Sequence, residues 1–238
     1  KVNQVIKISK SVIEKLVLGF ALMPFIWLIS SVLVFILPNN LLSNLIYISG
    51  TGLVIIAINI GIITFLNKKL ENLEDKFLAI CLITSSGIIA DVLVGASLMK
   101  HSVLGYDPLG GSRFYGIGNE YMGVLVGSVI VAFGLLVDII KKKTKTNTHI
   151  SVRLKKVESF VLLNFIVITL TLALPRLGAN LGGTCTAISG FFVAYILLFK
   201  KRVAWFQLVG FIGLTALFIL SIAFFDSKLT CGASSHWG

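Results

Sequence analysis

The chain has 238 residues, of which 56% are hydrophobic and only 13% are charged, and its mean hydropathy of +0.97 is far above that of a water-soluble domain. A net charge of +11 would suggest nucleic-acid binding in a soluble protein, but here the basic residues cluster at the ends of apolar segments, which is the pattern of membrane topology. We therefore expect an all-α integral membrane protein with no nucleic-acid partner.

Seven segments are each long and apolar enough to cross a bilayer, which takes about 20 residues of helix. In chain order they cover residues 16–37, 42–66, 77–99, 120–140, 157–175, 183–199 and 203–225. All should be helices, because backbone groups that face lipid must be hydrogen-bonded within their own segment. We expect one transmembrane domain over residues 1–238 that is a piece of a longer protein, since the chain starts without Met and ends abruptly at SSHWG.

The basic residues predict the orientation of these segments. Seventeen of the 21 Lys and Arg residues lie before the first segment or in the connections that follow the second, fourth and sixth. Positive residues favour the cytoplasmic side, so the N-terminus is expected in the cytoplasm and the C-terminus outside the cell.

Metal and cofactor motifs are absent from the sequence. No Cys/His spacing fits a zinc site, and no phosphate-binding loop is present. Cys185 and Cys231 are both expected near the outer face, where they could pair, although two unpaired thiols is the preferred interpretation. Gly123 and Gly127, and likewise Gly210 and Gly213, are spaced to let helices approach closely.

Three connections that should face outward carry most of the polar residues. They are residues 100–119, which include the stretch GYDPLGGSRFYGIGN, the turn PRLGANLGG from Pro175, and the tail that ends in SSHWG. A short backbone segment at this position must either meet water or line a cavity. The sequence therefore predicts that any functional site lies on this side.

Two arginines in these connections indicate an anion site. Arg113 and Arg176 each offer a planar fork of donors that fits carboxylate or phosphate, and a helix expected to begin near Asn119 and Glu120 would direct its N-terminal amides to the same region. Each residue also has a structural interpretation: Asn119 and Glu120 are typical of a helix start, and Tyr121 suits an interfacial aromatic belt. The functional interpretation depends on all of these residues occurring together in the outer connections.

Asp91 is the acidic residue placed deepest in a predicted span. It lies eight residues before Met99, hence about 12 Å below the outer end of a continuous helix. A carboxylate at such a depth normally faces a water-filled cavity or a partner. We expect either a functional group or a buried tie to an arginine or hydroxyl on a neighbouring segment.

The outer motifs resemble those of a known group of proteins. YDP at residues 106–108, RFYGxGN at 113–119 and GAxxGG at 178–183 are similar to motifs in the polytopic membrane part of Gram-positive envelope proteins, some of which join it to an alkaline-phosphatase-like extracytoplasmic domain. Asn180 stands where that group is expected to carry an acid, and SSHWG resembles a further outer motif. The resemblance implies a bacterial plasma membrane, a cell-envelope role and work on phosphorylated lipids or polymers.

Three hypotheses follow, and the sequence leaves open whether the protein is an enzyme. The first is that an extracytoplasmic pocket binds an anionic, phosphorylated lipid or lipid-linked envelope precursor. The protein would then be a lipid-handling component or a transferase, and no cofactor is expected. Its expected binding residues are Tyr106, Asp107, Arg113, Tyr115, Asn119, Arg176, Asn180 and His236, with Asp91 and Glu120 as general-base candidates. The second is a proton- or ion-coupled transporter or flippase that uses Asp91. The third is a non-catalytic anchor for an extracytoplasmic domain or partner subunit.

Overall fold

The computed structural model describes residues 2–32, 41–102, 104–105, 116–144 and 150–199, with scattered helical positions between 205 and 221. These described parts of the chain are helical and contain no strand. The helices are α1 (Val2–Ser30), α2 (Leu41–Lys69), α3 (Leu73–Leu93), α4 (Ser97–Lys100), α5 (Asn119–Thr144), α6 (Ile150–Ala173) and α7 (Leu181–Phe199).

Five stretches of these helices are long and apolar enough to cross a membrane. They are Ser9–Ser30, Leu73–Leu93, Asn119–Lys143, Leu154–Ala173 and Leu181–Phe199. Their outer surfaces keep large apolar side chains exposed, for example Phe20, Leu163 and Leu197, as helices in contact with lipid do. The chain is thus an all-helical, multi-pass membrane protein. The total of seven spans and the side on which each terminus lies stay predictions.

The third predicted span, residues 77–99, is interrupted in the structure. Helix α3 ends at Leu93, and the backbone turns through Gly95 with φ of 99° and Ala96 with φ of 59°. Both values lie in the left-handed region, which an α-helix cannot contain. The short helix α4 follows at Ser97.

The helices pack in the order α2, α1, α3, α5, α7 and α6, each in contact with the next. Leu18, Leu22 and Ile80 belong to one apolar cluster, formed by α1, α2 and α3. A second, larger cluster joins α3, α5, α6 and α7 around buried side chains such as Leu125 and Phe165. Helix α5 lies between α3 and α7 and so connects the two halves of the bundle.

Close helix approach occurs at glycines other than those predicted. A Cβ added at Gly87 would lie 2.8 Å from the ring of Phe25, and one added at Gly183 would lie 2.6 Å from Met122. By contrast, a Cβ at Gly123 or Gly127 would meet no atom within 4 Å. The predicted close contact at Gly123 and Gly127 is therefore wrong for the described part of the protein.

The two ends of the bundle differ in chemistry. One end, which we call the basic end, carries lysines from three helices: Lys68, Lys69, Lys141, Lys142, Lys143, Lys155 and Lys156. The other, which we call the loop end, carries the connection after α3, the start of α5 and the turn between α6 and α7. This separation matches the alternation of basic connections in the sequence.

Candidate functional site

Two glycine-rich segments at the loop end, residues 116–118 and 178–180, lie against each other. The backbone N–H of Ile117 donates to the carbonyl oxygen of Gly178 at 2.9 Å. In return, the side-chain amide of Asn180 donates to the carbonyl oxygen of Ile117 at 3.0 Å. Both backbone groups of Ile117 are thus bonded to the second segment. We call these six residues the loop platform.

The glycines of the platform are required by this close approach. A Cβ added at Gly116 would lie 2.3 Å from the carbonyl oxygen of Gly178, and the backbone of Gly116 also has a φ of 79°. A Cβ added at Gly178 would lie 2.6 Å from the Cα of Leu172. Neither position has space for a side chain, because the blocking atoms belong to the backbone.

The platform is also fixed to the end of α6. The N–H of Gly178 donates to the carbonyl of Thr171 at 2.9 Å, and the N–H of Asn180 donates to the carbonyl of Leu172 at 3.0 Å. The last carbonyls of a helix have no partner within it, so the turn supplies donors that α6 lacks. The chain consequently reverses within a few residues at a defined angle.

Asn180 is the residue that joins these elements. It is 1% exposed, and its Oδ1 accepts from the N–H of Gly183 at 2.7 Å, which is the N-cap bond of α7. Its amide nitrogen donates to Ile117 and, at 3.2 Å, to Oδ1 of Asn119. Since both amide hydrogens are used inside the protein, Asn180 is a positioning residue in this structure.

Asp91 is buried, with 3% exposure, and both of its carboxylate oxygens accept hydrogen bonds. Oδ1 accepts from the N–H of Leu98 and Oδ2 from the N–H of Met99, each at 2.9 Å. Asp91 therefore ties the start of α4 to the end of α3. The prediction that it lies about 12 Å down a continuous helix is wrong, because α3 ends two residues after it.

Tyr121 does not belong to an exposed aromatic belt. It is 1% exposed, and its hydroxyl forms a 2.5 Å hydrogen bond with Oγ of Ser102 and donates to the carbonyl of Pro24 at 3.4 Å. The bonds connect α5 to the segment after α4 and to α1. Sequence reasoning missed Ser102, because no local pattern indicates a partner 19 residues away.

The predicted site residues that the structure describes fall into two groups. Asn119, Glu120 and Arg176 are exposed at the loop end and are accessible to a ligand, whereas Asp91 and Asn180 are buried. Lys100 adds a positive charge at this end and donates to the carbonyl of Gly95 at 3.2 Å. The remaining candidates lie outside the described residues: Tyr106, Asp107, Arg113, Tyr115 and His236.

Within the described ranges no group of three or more His, Cys, Asp and Glu side chains is arranged to hold a metal ion. Cys81 and Cys185 carry free thiols, and Cys231 lies outside the described residues. Comparison of the chain with protein-family models, with curated proteins and with solved structures finds no match in any of the three.

Proposed function

We propose that the loop end binds the anionic headgroup of a phosphorylated lipid or lipid-linked envelope precursor on the outer side of a bacterial plasma membrane. Arg113 and Arg176 bind the anion, Asn119 donates to it, and Tyr106 and Tyr115 flank the headgroup. Asp107 and His236 complete the polar lining. Glu120 is the general-base candidate if a reaction occurs there.

The contact between Ile117 and residues 178–180 carries this proposal. Arg113 precedes Gly116 by three residues, so the covalent chain limits the distance between their Cα atoms to about 11 Å. Gly116 in turn lies against Gly178, two residues from Arg176. This separation is short enough for the side chains of Arg113 and Arg176 to reach the same anion, as the proposal requires.

Electrostatics at the loop end favour a negatively charged ligand. Arg176 is exposed there, and the N-terminus of α5 begins at Asn119, so its first amides carry a partial positive charge at the same end. Guanidinium groups bind phosphate by paired hydrogen bonds. Only Glu120 adds an exposed negative charge to the described part of this region.

Native mass spectrometry of the full chain purified in mild detergent tests the proposal. Wild type is expected to retain a phosphorylated lipid that Arg113→Ala and Arg176→Ala lose, while Lys100→Ala, which removes the same charge from the same end, retains it. Equal retention by all four proteins would contradict the proposal. Equal loss from all three variants would indicate attraction to charge in general and would also contradict it.

The transporter alternative depends on Asp91. Both of its oxygens accept backbone hydrogen bonds, which supports a positioning role over proton or ion coupling. Ion-dependent flux in liposomes that is lost in Asp91→Asn without loss of thermal stability would favour the transporter. If Arg113→Ala, Arg176→Ala and Asp91→Asn are all silent, the anchor hypothesis is favoured.

A further inference from the structure

A groove at the basic end lies between α1 and α2, on the far side of the bundle from the loop platform. It has a volume of about 450 Å³ and is lined by both helices. Leu16 is 56% exposed and Ile60 is 61% exposed, so the described part of the chain leaves the groove open. Ser9–Ser30 of α1 is long and apolar enough to cross a membrane, and the sequence predicts that residues 42–66 of α2 cross it as well. A groove between these two helices would then open toward lipid.

The lining of this groove changes from polar to apolar along α2. Asn67 lies two residues from the end of α2 at Lys69, Thr64 follows one turn deeper, and Ile60 lies about 10 Å from Asn67 at 1.5 Å per residue. Lys15 of α1 lines the groove as well, and its long stem allows the ammonium group to reach the interface. The groove is thus polar toward the membrane surface and apolar toward the interior.

Positive charge lies at the mouth of the groove: Lys15 lines it, and Lys68 follows the lining residue Asn67, while the nearest exposed carboxylate at this end of α2 is Glu71. Lys15, Lys68 and Lys69 are exposed, and none of them belongs to either ion pair recorded in this part of the chain. The neighbouring carboxylate of Glu14 is already paired with Lys76 at 2.7 Å. An anion at the mouth would therefore meet Lys15, which lines the groove, and would lie near Lys68, which follows the lining residue Asn67.

We propose that this groove is a binding site for one anionic phospholipid, independent of the function proposed for the loop end. The phosphate contacts Lys15, with Asn67 and Thr64 as hydrogen-bonding partners and Lys68 close by. An acyl chain lies along Leu16 and Ile60. A neutral lipid would fill the apolar part but leave the lysines without a counter-charge, so the occupant carries a net negative charge.

Native mass spectrometry of the full chain in equimolar phosphatidylglycerol and phosphatidylcholine tests this site. Wild type is expected to retain phosphatidylglycerol preferentially. Lys15→Gln is expected to lower that preference about fivefold, the effect of one interfacial lysine. Lys10→Gln removes the same charge from the same helix about 140° away around its axis and is expected to change the preference less than twofold.

A second variant tests the groove itself. Thr64→Trp places an indole in the opening without removing a charge, and it is expected to lower retention of phosphatidylglycerol while the thermal unfolding midpoint stays near that of wild type. The proposal is overturned if Lys15→Gln and Lys10→Gln have equal effects, or if Thr64→Trp has none. It is also overturned if millimolar inorganic phosphate displaces the lipid, because a simple anion site would then suffice.

Discussion

The side-chain amide of Asn180 donates to the carbonyl oxygen of Ile117 across 3.0 Å, so one residue fixes the relative positions of α5 and α7. The same side chain caps α7 through the N–H of Gly183. The structure of the loop end therefore depends on a contact between residues that are 63 positions apart in the chain. The proposed anion site depends on this contact, since Arg176 lies in the same turn.

Asn180→Asp is expected to lower the free energy of unfolding by about 1–3 kcal/mol at neutral pH, because a carboxylate cannot donate to Ile117. In its protonated form the introduced carboxyl can donate. Burial raises its pKa above the unfolded value, so the folded state binds more protons and stability falls as pH rises. Thermal unfolding of Asn180→Asp in detergent at pH 5 and pH 8 measures this pH dependence of stability.

The control for that prediction is Asn119→Asp, because Asn119 is exposed. The thermal unfolding midpoint of Asn119→Asp is expected to change much less between pH 5 and pH 8. A midpoint for Asn180→Asp that is the same at both pH values would show that the donated bond contributes nothing.

Gly178→Ala is expected to disrupt the turn between α6 and α7. The added Cβ would lie 2.6 Å from both the Cα of Leu172 and the carbonyl oxygen of Thr171, so the backbone must move. We expect a loss of several kcal/mol or failure to fold. Gly182→Ala is the matched control, because its added Cβ lies 3.8 Å from the nearest atom, Oδ1 of Asn180. Equal thermal unfolding midpoints for the two variants would contradict the described packing.

Asp91→Ala is expected to release α4 from the end of α3. It leaves the N–H groups of Leu98 and Met99 without their acceptors, which costs about 1–3 kcal/mol for each buried group. Hydrogen exchange followed by mass spectrometry should show faster exchange in residues 97–102 than in wild type. Unchanged exchange there would mean that the carboxylate does not hold α4.

Hydropathy was sufficient to predict the helical membrane fold, because each membrane-crossing segment must form the hydrogen bonds of its backbone groups within itself. The same pattern could not predict that α3 ends at Leu93, since that end depends on the left-handed backbone at Ala96. The roles of Asn180 and Tyr121 were missed for a related reason. Their partners, Ile117 and Ser102, are brought to them by the packing of whole helices, which leaves no local signal in the sequence.

The ion pair of Lys76 and Glu14 joins α3 to α1 at 2.7 Å, with the Lys76 side chain only 8% exposed. Lys76→Met alone should cost about 3–5 kcal/mol, because it leaves a partly buried carboxylate unpaired. Adding Glu14→Gln to Lys76→Met should restore most of that loss. The pair of Lys142 and Glu74 is the control, since its side chains are 61% and 45% exposed and its removal should cost at most about 1 kcal/mol. A double-mutant cycle, measured by thermal unfolding, gives the coupling energy of each ion pair. Equal coupling energies for the two pairs would contradict the expected difference.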